Sequence, residues 1–222
     1  MKKYFELLSK TSAPESFEKK YECRSFEGTA IPSDLEPLWL KQNWINSDTK
    51  EKGFALIWRD NKNIKLLGIM QDSDVFTSAQ GKNDRTWAKG DVFEFFIQPS
   101  GAKKYFEIHI APNLATLELE IPSIESFRAE KFSFEEMIAD FGFKSEAGVI
   151  DQDNLKGWWA MMTVPLARLG MTNKINSCVA KFSVCRYNYN KEWGEKPECS
   201  SSSPIPTLSF HSPEYWHELA FI

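Results

Sequence analysis

The sequence predicts an all-β fold, an antiparallel β-sandwich of jelly-roll-like type with one or two short helices. Three observations predict it. Short runs of apolar and polar residues alternate at period two, the spacing of a sheet with one buried face. Clusters of Asp, Asn, Gly and Pro separate these runs and supply turn chemistry. The 222 residues include seventeen Phe and eight Trp, and most of that aromatic bulk needs a core to fill. No repeat is visible and no linker divides the chain. Residues 1–20 therefore read as a polar, partly helical lead-in, and 21–222 as one sandwich domain.

Each element follows from local sequence. A first strand is expected over Tyr21–Gly28. Residues Pro32–Asn46 combine prolyl turns with two tryptophans among apolar neighbours. GFALIWR (53–59) is apolar at both parities, so it reads as a central strand buried on both faces, paired through Asp60–Asn63 with IKLLGIM (64–70). Asp72–Lys89 is a long polar loop, a length usually reserved for function or mobility. Beyond it, TLELEI (116–121), WWAMMTV (158–164) and CVAKFSVCRYNY (178–189) are strands, and a last strand falls near Leu219–Ile222. One helix is expected near Phe134–Phe141. Residues 142–156 read as loop, and so do 191–206, which include the serine run Ser200–Ser203.

The most informative stretch is TWAKGDVFEFFIQPSGAKKYFEIHIAPN, which begins at Thr86. It predicts a β-hairpin turning at Pro99-Ser100-Gly101. Phe93, Phe95, Ile97, Phe106, Ile108 and Ile110 share one face. Glu94, Gln98, Tyr105, Glu107 and His109 share the other. Keeping the phenylalanines on one side allows two registers, setting Glu94 opposite either Glu107 or His109. A polar face beside Trp87 suits recognition of a polar ligand. The plainer reading is a solvated sheet face with a cross-strand charge pair, contributing only about 0.2–1 kcal/mol.

Composition narrows the function. A net charge of −4 and a pI near 5.6 argue against a nucleic-acid surface, and the basic pairs are scattered. No run of about 18 apolar residues is present to span a membrane, and the start lacks the apolar core of a signal peptide. The expected compartment is the cytoplasm unless a signal has been trimmed. Cys23, Cys178, Cys185 and Cys199 match no metal or redox spacing. Cys178 and Cys185 lie about 23 Å apart along one predicted strand, so buried free thiols are expected. His109, His211 and His217 form no metal motif by spacing and read as structural.

The order of motifs resembles the family 9 carbohydrate-binding modules. The matching segments are GFALIWRD, an aspartate-rich loop, TWAKGDVFEFFIQP, YFEIHIAPN, GWWAMMTVPLARLG, KFSVCRYNY and the terminal SFHSPEYWHELAFI, together covering roughly Tyr21 to Ile222. The resemblance implies sugar binding without catalysis. It implies stacking on Trp87 and Trp193, and hydroxyl contacts from Glu94 and Arg186. If the hairpin register sets His109 opposite Glu94, that pair adds a ready acceptor–donor set for hydroxyls. The resemblance also allows a structural calcium ion, for which Asp72, Asp74 and Asp91 are the candidates; no other cofactor is expected. Arg186 has a plainer role as a partner of Glu192 or Glu195. Trp39, Trp44, Trp58, Trp158 and Trp159 read as core or rim, and Trp216 as a cap. Besides a haem or electron-transfer sandwich, which Met70, Met161, Met162 and the three histidines formally allow, two other functions compete. One is a glycoside hydrolase using Glu94 and Glu107, whose carboxyls need a separation of about 5–5.5 Å for retention. The other is a protein-interaction sandwich with an aromatic face.

Overall fold

The computed structural model of the protein describes residues 1–11, 19–45, 47–152, 154–171 and 177–222. Among these, twelve strands follow in chain order: β1 (Lys20–Cys23), β2 (Leu38–Trp39), β3 (Gly53–Arg59), β4 (Asn63–Gln71), β5 (Val92–Pro99), β6 (Tyr105–Ile110), β7 (Thr116–Ile121), β8 (Lys144–Gln152), β9 (Leu155–Pro165), β10 (Ser177–Asn188), β11 (Glu198–Ser201) and β12 (His217–Phe221). They form two sheets. One has the order β1-β12-β10-β5-β6-β7, with β11 also pairing with β10, and the other is β2-β3-β4-β9-β8. Pairing is antiparallel except for β1 on β12. The all-β sandwich expected from the sequence is thus the observed fold.

The period-two pattern explains the central layer. Phe93, Phe95 and Ile97 of β5 meet Phe106, Ile108 and Ile110 of β6 and Ala180, Phe182 and Val184 of β10. All pack against Ile57, Leu66, Trp158 and Met162 of the second sheet. Full burial of a large apolar side chain contributes about 1.5–3 kcal/mol, so this layer dominates stability.

Two further layers cover the outer faces. Helix α1 (Lys2–Lys10) places Tyr4, Phe5 and Leu8 on Trp39, Phe54, Leu56, Trp58, Leu67 and Ile69. This is why GFALIWR is apolar at both parities. The lead-in is therefore amphipathic rather than polar; its residues 12–18, like Asn46, lie outside the described residues. On the other sheet, Phe96, Tyr105, Leu117, Leu119, Cys185, Ile205, Phe210 and Trp216 form a second core. Helices α2 (Ile124–Arg128) and α3 (Phe134–Met137) lie over that face.

Several local expectations are corrected. The single helix near 134–141 is two short helices. Each starts at a serine cap, Ser123 or Ser133, the second with a full capping box to Glu136. Glu130, at φ 49°, follows α2, and the pairing of Ile138 with Leu119 ends α3. Residues 142–156 are largely strand, because β8 is a polar edge strand with no apolar signature. It pairs with β9 as far as Gln152 opposite Leu155, and Asn154 stands at φ 66°. The serine run is loop only in part: Ser200 and Ser201 belong to β11, and Ser202 and Ser203 bend away from its end. Ser202 N–H donates to Val184 C=O and its hydroxyl accepts from Val184 N–H at 3.0 Å, so buried hydroxyls complete the β10 edge. All four cysteines are free, but Cys178 is exposed rather than buried, since a bulge between Cys178 and Ala180 shifts its register.

Candidate functional site

The site grows from the hairpin register. Glu94 pairs with His109, and Phe96 with Glu107, which resolves the two registers left open by the sequence. Cys185, Glu94, His109 and Leu117 therefore form one cross-strand row, and Ser183, Phe96, Glu107 and Leu119 the next. Both rows point away from the inter-sheet core. The polar face is not a solvated sheet surface: Glu94 is 1% exposed and His109 fully buried, because the outer apolar layer encloses them.

His109 is the hub. Its Nε2 lies 2.7 Å from Glu107 Oε1 and 3.3 Å from Glu94 Oε1. Its Nδ1 is 2.8 Å from the hydroxyl of buried Thr86. Glu107 Oε2 faces His211 Nε2 at 3.6 Å, and His211 Nδ1 is 2.8 Å from the Tyr105 hydroxyl. Phe127 stacks on the His211 ring at 3.8 Å between centroids. Glu94 Oε2 is buried and has no hydrogen-bond partner among the described residues.

This packing separates the two carboxyls. Burial is the largest influence on Glu94 and, with Glu107 adding to it against the pull of His109, raises it to about 8. Burial also acts to raise Glu107, but His211 and His109 outweigh it and hold Glu107 below its usual value. Burial lowers an imidazole; at His109 the two carboxylates overcome that and raise it, whereas at His211 burial prevails. At neutral pH the cluster therefore offers a protonated Glu94 as hydroxyl donor and an ionised Glu107 as acceptor.

A cleft of about 340 Å³ opens above these residues, with Glu94 and Glu107 among its lining and Trp87, Phe134, Tyr187 and Phe210 among its walls. Trp87 is presented by a short 3-10 turn, Thr86–Ala88, at the end of the long loop. Its ring meets His109 edge-on at 5.8 Å and Phe134 at 5.7 Å, and its carbonyl accepts from the Tyr189 hydroxyl at 2.7 Å. The loop is held at its base by Asp91, which accepts from Phe76 N–H and Tyr189 N–H.

Of the predicted site residues, the structure brings Trp87, Glu94 and His109 together. Arg186 lies elsewhere, buried at the end of the inter-sheet core. It pairs with Asp72 at 3.2 Å, not with Glu192 or Glu195, and donates to the carbonyls of Gln71 and Glu51. Trp193 is half-buried under Lys50, whose ammonium lies 4.4 Å from its ring, and is not among the residues lining the cleft. The three aspartates do not fit calcium. Asp72 is paired with Arg186 and caps Asp74 N–H, Asp91 holds two backbone amides, and Asp74 accepts from Lys191 N–H. Calcium takes six to eight oxygens, and a guanidinium already supplies the positive charge here. Burial raises Asp91 to about 8, with Asp72 adding to it.

Sequence reasoning missed His211, Phe127, Phe134 and Tyr187. Only the terminal F-H-x-P-E-Y segment signalled one of them, since cleft walls from separate elements share no local pattern.

The comparisons with known proteins bear on this geometry. No family model and no curated protein matches the sequence. Among solved structures, a Bacteroides uniformis protein for which carbohydrate binding has been proposed is 19% identical, with a TM-score of 0.71 over 92% of this chain and 99% of that one. A family 9 carbohydrate-binding module from Caldicellulosiruptor kristjanssonii, in complex with cellotriose, is 9% identical with a TM-score of 0.60, covering 90% and 93% of the two chains. The chain has the fold of the family 9 carbohydrate-binding modules. The glucose complex of a module from the same organism agrees, at 10% identity and a TM-score of 0.60 over 91% and 96%. In this chain the cleft over the β5–β6 face is lined by Glu94 and Glu107, with His109 buried beside them.

Proposed function

We propose that the protein binds carbohydrate without catalysis, in the cleft over Glu94, Glu107 and His109. The carrying observation is the pairing of a hydrogen-bonding floor with an aromatic rim on one recessed face. Sugars present hydroxyls at their edges and C–H surfaces on their faces. A polar floor beside Trp87 matches both. Solved structures of this fold with cellotriose and glucose bound lend support. In this reading Trp87 supplies the stacking surface, while Glu94 and Glu107 address hydroxyls as donor and acceptor. Arg186 acts from below, fixing the β4 end, and Trp193 contributes at most to an outer subsite.

The hydrolase alternative has one point in its favour, the separation of the two carboxyls into a raised and a lowered group. Against it, a glycosidic bond must lie between the acid and the nucleophile, and the His109 imidazole fills that space. Calorimetry against a sugar panel including glucose and cellotriose tests binding. Trp87→Ala is expected to weaken affinity at least tenfold with the fold retained, and Trp193→Ala to change it less than threefold. Turnover of aryl glycosides abolished by Glu94→Gln would instead support the hydrolase.

A further inference from the structure

We propose that Glu94, Glu107 and His109 form a binding site for a divalent transition-metal ion of the zinc class, with His211 as a second imidazole at its edge. One ligand atom from each of the first three lies within 4.8 Å of the others, and all three residues are buried. Tetrahedral zinc holds nitrogen and oxygen ligands at about 2.0–2.2 Å, which sets them roughly 3.3 Å from one another. His109 Nε2 already lies 3.3 Å from Glu94 Oε1 and 2.7 Å from Glu107 Oε1, so small rotations of the carboxylates suffice.

The imidazoles are oriented for this use. His109 Nδ1 is engaged by Thr86 Oγ1 and His211 Nδ1 by the Tyr105 hydroxyl, each at 2.8 Å. Both Nε2 atoms are thereby turned toward Glu107, at 2.7 and 3.6 Å. A hydroxyl on the far nitrogen is the kind of outer contact that fixes the tautomer of a metal-bound histidine.

A second observation stands apart from the clustering. Glu94 Oε2 is buried and meets no hydrogen-bond donor among the described residues, although a buried polar atom left unpaired is destabilising. A cation is the partner that would satisfy it. Mixed nitrogen and oxygen ligands suit zinc and its neighbours, whereas calcium and magnesium prefer oxygen alone. The cleft above Glu94 and Glu107 is the way in. The inference goes beyond carbohydrate binding and stands without it.

The test uses metal-stripped, untagged full-length protein titrated with Zn²⁺ by calorimetry. One equivalent is expected to bind, with Glu94→Gln and His109→Gln each lowering affinity at least tenfold. Circular dichroism of the variants checks the fold. In wild type, the imidazole resonances of His109 and His211 are expected to move on Zn²⁺ addition while those of His217 stay put. This readout needs no variant. Absence of one-equivalent binding, or binding that leaves His109 unmoved, would overturn the proposal. Sugar titrations run with and without chelator keep the two readings apart, since loss of sugar binding leaves the Zn²⁺ result intact.

Discussion

Arg186 shows how one buried charge organises its surroundings. Its guanidinium neutralises Asp72 and ties the carbonyls of Glu51 and Gln71, joining β10 to the ends of β3 and β4. Asp91, Asn188 and Glu51 complete the network, with Asn188 donating to Glu51 at 2.9 Å. Removing one partner of a buried pair leaves the other uncompensated, at a cost of about 3–5 kcal/mol. Arg186→Met is therefore expected to lower stability by that order in urea denaturation, while the folded fraction keeps sugar affinity within about twofold. A large loss of affinity in fully folded Arg186→Met would place the arginine in the binding site. At this scale the sequence was partly legible. Glu94 stood out as a charge inside an apolar strand, and its parity with His109 was correct. The burial of both was not legible, because the layer that covers them comes from α2, α3 and the C-terminal segment, far away in sequence.

At the scale of elements, strands with strong alternation or double-sided apolarity read clearly, and β3, β5 and β6 lie where expected. β8 and β11 did not, because an edge strand needs no apolar face and four residues of Glu, Cys and Ser carry no alternation to read. The β3–β4 turn gives an element-level prediction. Asp60 accepts from Lys62 N–H, Asn63 N–H and Asn63 Nδ2, and pairs with Lys65 Nζ at 2.9 Å. Burial would raise Asp60, but Lys65 and these donors prevail and hold it down to about 2. With an unfolded value near ~3.9, a lowered acid stabilises the fold above that pH and loses its effect as pH falls toward the folded value. The contribution is roughly 2 kcal/mol by linkage. Wild type is expected to exceed Asp60→Asn in stability above pH ~5, with the difference shrinking toward pH ~2. A difference constant across that range would show that Asp60 acts only as a neutral hydrogen-bond acceptor.

The whole molecule is a sandwich of two sheets with apolar layers on both outer faces as well as between them. That extra covering absorbs aromatic side chains that a bare sandwich would expose, and it turns a flat polar sheet face into a recessed cleft. Aromatic abundance suggested spare rings for ligand platforms. In the structure most serve as cover, and Trp87 stands at the cleft where cover ends. The central claim is that this cleft is where carbohydrate binds. The most direct measurement is a titration of wild-type protein with mono- and oligosaccharides, glucose and cellotriose included, followed by the indole resonances of its tryptophans and the imidazole resonances of its histidines. Saturable shifts at Trp87 and His109, with Trp158 and Trp193 unmoved, are the expected result. Saturable shifts confined to Trp193, or no shift at Trp87 with any sugar, would contradict the account.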